Sequence, residues 1–416
     1  MSAWSRNLRI LWIGQFLVTA GLTVLVPLMP ICIARLGVSD AAENRLWSGL
    51  CIAAPAFTLM LAAPVWGRLG DLLGRKAMVV RALVGIATSV GLMSMARTPQ
   101  QLFLARLLQG AFGGVDDAAA AFLTTQTPRD HRGKALGALQ TATAAGALVG
   151  PIVGGFASDR VGFSPLTALA GLLIAASSLC AAALLTETQT PAASARQQGA
   201  LRSALGVITR RETCPYVVGG MLVQTGTYGI IAIFATHVST LYPKHAGGVV
   251  GSLHAATWMA SMIGAAWWGA RNDRWPTRVT FCTAALGCAV AVALQPVAPN
   301  AEALVALRVV QGFCVSAIGQ SVYLQVSGQA REGMQGICIG VANSALTMGQ
   351  IIGALLGSAL AAALPTTGVF ACMAGCFALG GATAMLAPRV APTTVSTSAP
   401  EHSVQPPITV KEEVAC

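Results

Sequence analysis

The sequence predicts an all-α integral membrane protein whose twelve transmembrane helices form two parallel six-helix repeats. Charged residues make up only 10% of the 416 residues, against 55% hydrophobic. Apolar runs long enough to cross a bilayer recur along the chain, and the chain repeats itself at a spacing near 202 residues. Soluble domains carry about 25% charged residues. This chain cannot cover a soluble surface, so most of it must face lipid or other helices.

A bilayer core about 30 Å thick needs about 20 apolar residues of helix. The first run, 10–34, follows two arginines as a signal peptide would. It is too long and lacks a small-x-small cleavage site, so a retained first span is expected. Runs at 46–67, 77–96, 98–127, 135–158 and 161–186 complete a first set of six. A polar stretch follows, then 214–241, 246–270, 279–295 and 303–329. The uncharged run 333–388 is too long for one helix, and "PTTG" at 365–368 divides it, which gives twelve spans. The expected organisation is a bundle over 1–186, a cytoplasmic linker over 187–213, a second bundle over 214–388 and a disordered cytoplasmic tail over 389–416.

Charge chooses the side. With both termini on one face, nineteen Lys/Arg residues fall on that face, five on the other, and two, Arg106 and Arg308, inside spans. Cationic loops stay cytoplasmic, so both termini are expected there. The net charge of +11 therefore has a topological cause and calls for no nucleic acid. Eleven scattered cysteines, with Cys372 and Cys376 the one close pair, read as packing residues. The five histidines show no His-Glu-x-x-His spacing, and no Gly-rich Lys-Ser/Thr phosphate loop occurs, so no metal site and no nucleotide cofactor is expected.

"WGRLGD" at 66–71 recurs as "WGARND" at 268–273, and "LFLARLLQG" at 102–110 recurs as "LVALRVVQG" at 304–312. Gly146, Gly150 and Gly154 recur as Gly349, Gly353 and Gly357. Because six is even, the halves have the same orientation, related by an axis normal to the membrane. Two such bundles can rock about a site between them, which predicts a transporter.

"GRLGDLLGRKAMV" at 67–79 resembles the loop signature of the major facilitator superfamily, matching at Gly67, Leu69, Asp71, Gly74, Arg75 and Lys76, with Leu72 where the family usually has arginine. "LFLARLLQGAFGG" at 102–114 resembles its fourth-span motif with an embedded arginine, here Arg106. "GALVGPIVGG" at 146–155 matches the fifth-span motif of its drug/proton antiporters at Gly146, Gly150, Pro151, Gly154 and Gly155, and "GLTVLVPLMP" at 21–30 resembles their first span. The resemblance implies the major facilitator fold, a bacterial inner membrane location, a loop at 67–76 that latches the halves, and a bend at Pro151 that seals the cavity. It also implies export driven by the proton gradient, of a siderophore-like metabolite or of drugs. A nutrient importer is the nearest alternative. A monomer is expected. An enzyme finds no nucleophile–base arrangement here, and the short loops leave a sensor no room for a ligand domain.

A charge at mid-bilayer costs roughly 2.5–3.5 kcal/mol and usually has a function. Taken as one continuous helix, span four places Asp117 within about 20° of the face of Arg106, and Asp116 about 80° away. That face is expected to line the cavity, with Gln109 on it. Two adjacent carboxylates in a low dielectric do not both ionise easily, so Asp117, Asp116 and Arg106 are the expected proton-coupling group. The first span offers no acid, only Gln15, Thr19 and Thr23. Expected cavity residues are Gln15, Thr19, Gln109, Gln140, Thr143, Gln224, Thr227, Tyr228, His254, Thr257, Gln320, Tyr323, Asn343, Thr347 and Gln350. Amides and hydroxyls in that number favour a polar cargo.

Overall fold

The structure, a computed structural model, describes residues 3–128, 131–187, 200–242, 246–272, 274–330 and 335–388. Within these it is helical. The first half comprises α1 (Ala3–Leu25), α2 (Met29–Arg35), α3 (Ala41–Leu73), α4 (Arg75–Met95), α5 (Pro99–Ala111), α6 (Val115–Gln126), α7 (Arg132–Val161) and α8 (Phe163–Leu184). A short helix, α9 (Ala200–Ile208), precedes the second half: α10 (Cys214–Leu241), α11 (Ala246–Asn272), α12 (Thr277–Leu294), α13 (Ala301–Gln329), α14 (Gln335–Ala363) and α15 (Thr366–Met385).

Among the described residues, eleven helices are long and apolar enough to cross a membrane. The twelfth crossing is broken. The run 98–127 was expected as one helix, but α5 ends at Ala111 and α6 begins at Val115. Between them Gly114 takes φ +85°, a left-handed conformation that interrupts the helix and that glycine adopts without a steric penalty. The first run is also interrupted, with a turn over 26–28 between α1 and α2. Pro27 stands within that turn and Pro30 just beyond it, and each removes a backbone donor from any continuous helix. The polar linker region contains α9, which packs on α14 through a face that buries Ala204, Val207 and Ile208. The tail at 389–416, expected to be disordered, lies outside the described residues.

The duplication seen in the sequence recurs in the packing. The pairs α1–α7, α3–α5 and α4–α8 have counterparts in α10–α14, α11–α13 and α12–α15. Trp66 Nε1 donates to the Ala111 carbonyl at 2.6 Å, and its counterpart Trp268 donates to Phe313 at 3.0 Å. Arg106 donates to Gln109 at 2.7 Å, and Arg308 to Gln311 at 3.0 Å. Thr98 and Asn300, also 202 apart, each cap the helix that begins after them.

Small residues permit this close packing, as membrane helices require. A Cβ at Gly312 would stand 2.8 Å from the carbonyl carbon of Thr257 and 2.9 Å from its Cα. Backbone cannot swing aside as a side chain can. Gly312→Val is therefore expected to cost about 1–3 kcal/mol and to lower the thermal midpoint of detergent-solubilised protein by several degrees.

Candidate functional site

The two halves meet along α3–α14 and α7–α11. Contact is tightest at the end of the bundle away from the termini. There, a Cβ at Gly49 would lie 2.7 Å from the Ala354 carbonyl oxygen, and one at Gly155 would lie 2.5 Å from that of Gly247. Gly251 lies directly against the carbonyl of Pro151. On α14 the same face is buried at Ser358, Ala354 and Ile351, half-buried at Thr347 and exposed at Asn343 and Gly340. On α7 it is buried at Gly155 and Pro151, half-buried at Leu148 and Ala144, and exposed at Gln140 and Gly137. The corresponding faces of α3 and α11 end exposed at Ala63 and at Trp258, Met262. All four faces lose their cover in the same direction. The halves splay apart toward the end that carries the termini, and a cavity opens there.

The broken span places the acids. Asp116 and Asp117 occupy the first turn of α6, where the free amides and the helix dipole favour negative charge. Asp116 Oδ1 accepts hydrogen bonds from Gln15 Nε2 on α1 and from Thr143 Oγ1 on α7, the latter at 3.1 Å. Asp117 lines a separate cavity of about 200 Å³ with Trp66, Arg75, Met78 and Arg81. Adjacent in sequence, the two carboxylates therefore serve different surroundings. Arg81 stacks over the Trp66 ring at 3.9 Å and donates to the carbonyls of Phe112 and Gly113, at 3.4 and 3.3 Å. It occupies the acceptors left free where α5 stops.

This corrects the single-face expectation for span four. With the helix interrupted, Arg106 and Asp117 share no face. Arg106 is 2% exposed and donates to the Cys51 carbonyl at 2.9 Å as well as to Gln109. It belongs to the sealed end, and Gln109 is buried with it rather than lining the opening.

At the expected gating loop, Gly74 alone separates α3 from α4, with φ +92°. Gly67 lies within α3, and the side chain of Asp71 lies outside the described residues. Arg75 and Lys76 contribute their backbone amides: these donate to the two carboxylate oxygens of Glu187 at 2.9 and 3.1 Å. Glu187 caps the start of α4 from beyond the sixth span. In the sequence Glu187 is masked by the polar stretch around it, and its one signal is an acid just past an apolar run.

The fifth-span glycines divide by partner. Gly146, Gly150 and Gly154 face Phe16, Ala20, Thr23 and Val24 of α1, whereas Gly155 faces α11 of the other half. The helix continues through Pro151. Most of the motif is therefore intra-half packing, and one glycine serves the seal.

Of the expected cavity residues, Gln140 and Asn343 stand on the opened faces, and Asn343 accepts from Tyr323 at 3.0 Å. Gln15 is 1% exposed and donates to Thr19 at 3.1 Å, Thr143 at 3.2 Å and Asp116, so it is a network residue. Gln320 donates to the Ala265 carbonyl at 3.0 Å, Gln224 is half-buried, and Tyr228 packs on the cluster at the sealed end. Trp258 and Met262 line the opening as well, and being apolar they carry no sequence signal that separates them from lipid-facing residues.

The family model of the Major Facilitator Superfamily matches residues 11–243 and 216–414. The chain is 40% identical to a staphyloferrin B transporter of Staphylococcus aureus over 388 residues, covering 91% of this chain and 92% of that protein. It is 30% identical to a multi-drug resistance efflux pump PmrA homolog of Lactococcus lactis, covering 86% and 89% of the two chains. It is 27% identical to the multidrug resistance protein MdtG of Proteus mirabilis, covering 87% and 90%. In fold it is similar to a POT family peptide transporter, with TM-score 0.74 at 11% identity over 93% of this chain and 97% of that one. It is likewise similar to the nucleoside transporter NupG, with TM-score 0.73 at 15% identity over 93% and 99%. The duplicated bundles, the splayed interface and these matches together assign the chain to the major facilitator superfamily, as a multi-pass membrane transporter and not an enzyme.

Proposed function

We propose that the protein is a proton-coupled exporter of a small polar metabolite made by the cell, such as a siderophore, in the cytoplasmic membrane of a bacterium. Both termini lie in the cytoplasm, so the cavity described above faces the cytoplasm and receives cargo there. The observation that carries this reading is the interface itself, sealed at one end and open at the other, with Asp116 tied through Thr143 to α7, one of the helices that form it. Support for a siderophore-like cargo comes from the 40% identity to a staphyloferrin B transporter. A drug pump is the second reading, favoured by the similarity to MdtG and PmrA and by Trp258 and Met262 on the cavity wall. Asp116 and Asp117 carry the proton, Arg106 steadies the sealed state, and Gln140 and Asn343 contact cargo.

The test is deletion of the gene, followed by metabolite and siderophore assays inside and outside the cells and by antibiotic susceptibility. The expected result is one metabolite retained in the cells and lost from the medium. Broad sensitisation to antibiotics selects the drug pump instead. No change in either measurement, or poorer uptake of a nutrient, overturns export.

A further inference from the structure

The sealed end holds two buried guanidiniums that no acid among the described residues compensates. Arg106 and Arg308 each lie seven residues into their helices from the end away from the termini, about 10 Å deep. Each is 2% exposed. The contacts of Arg106 are the Cys51 carbonyl and Gln109. Arg308 donates to Gln311, places Nη2 3.4 Å from His254 Nδ1 and sits 4.2 Å over the Phe234 ring. Its Nε is buried without a hydrogen-bond partner, as is Oε1 of Gln295, whose Nε2 donates to Gln311 at 2.8 Å.

Charges embedded in spans normally pair with one another or with backbone carbonyls, or face an aqueous path; Arg106 has one such carbonyl, whereas Arg308 has only side-chain partners and an orphaned Nε. Asp116 and Asp117 are both committed elsewhere, to α1 and α7 and to the cavity beside Trp66. Two cations at repeat-equivalent positions, one per half, with no carboxylate partner among the described residues, point to an anion from outside the chain. Both stand where the halves meet. Cys51, which accepts from Arg106, shares an apolar cluster with Ala232, Ile351 and Ala354 of the other half. His254 lies one turn beyond Gly251, which meets Pro151. Parting the halves at this end uncovers both groups.

We propose that Arg106 and Arg308 form the two sides of a carboxylate-binding site, so that the cargo is an anion bearing at least two carboxylates. A guanidinium presents paired donors that fit a carboxylate, which a point charge does not. The inference rests on the transporter reading and narrows its substrate class.

The test uses the full-length protein, purified in nanodiscs, with citrate as a tricarboxylate probe, triethyl citrate as its uncharged ester and ethidium as a cation. Citrate is expected to raise the thermal midpoint of the wild-type protein, and the other two are not. In Arg308→Gln, citrate affinity is expected to fall roughly 10- to 100-fold, the effect of losing hydrogen bonds to a charged group, with partial recovery in Arg308→Lys. Without ligand, Arg308→Gln is expected to be as stable as the wild type or more so, because it removes an unpaired buried charge. A purely structural arginine would instead leave a destabilised protein. Equal protection of Arg308→Gln by citrate overturns the proposal, as does no protection of the wild type. Protection by ethidium, with proton-driven ethidium export in proteoliposomes, overturns the anion site while leaving export standing.

Discussion

Asp117→Asn is expected to abolish uphill export while the protein still reaches the membrane and still exchanges cargo down its gradient. One proton crossing about 100 mV supplies about 2.3 kcal/mol, enough for a gradient of about 40-fold in a neutral cargo. In everted vesicles, the variant should lose that accumulation but retain counterflow. Asp116→Asn makes the companion measurement. The asparagine oxygen can still accept from Gln15 and Thr143, so that variant removes the charge and keeps the contacts. Full uphill transport in Asp117→Asn would move the coupling role to Asp116, and full transport in both would remove the pair from the mechanism.

Gly251→Val is expected to prevent closure at the end away from the termini. A Cβ there would stand 3.0 Å from the carbonyl carbon of Pro151 and 3.1 Å from the Cα of Gly155, with the Pro151 oxygen nearer still. Overpacking of about 1–3 kcal/mol shifts a two-state balance roughly 10- to 100-fold, and transport should fall accordingly. Two native thiols report the state. Cys51 is fully buried and Cys32 is 3% exposed, both at the sealed end. An impermeant maleimide applied from that side should label them in Gly251→Val and spare them in the wild type. Gly137→Val is the control, because a Cβ at Gly137 meets nothing within 4 Å. Protected thiols in Gly251→Val would mean that this contact does not govern closure.

Hydropathy located the crossings well because bilayer thickness imposes a length on each one. The run 214–241 matches α10 to the residue. It could not detect the breaks at 26–28 and 112–114, because apolar composition carries no information about backbone dihedrals. The signals there were Pro27, Pro30 and the Gly113–Gly114 pair. Arg81 shows the same blindness in another form. Counted as a loop charge, it lies six residues inside α4 and serves the carbonyls at the α5 break. The amides illustrate why residue type alone does not mark a cavity. Away from water an amide is satisfied by protein neighbours, and Gln15 and Gln109 found them, whereas Gln140 and Asn343 lie where the interface has parted.

The connection between the halves is pinned at two points. Glu187 is fastened to the amides that begin α4, and α9 is seated on α14. Between Glu187 and Ala200 lie twelve residues. Each anchor grips its own half, Glu187 the start of α4 and α9 the flank of α14, so neither fastens one half to the other.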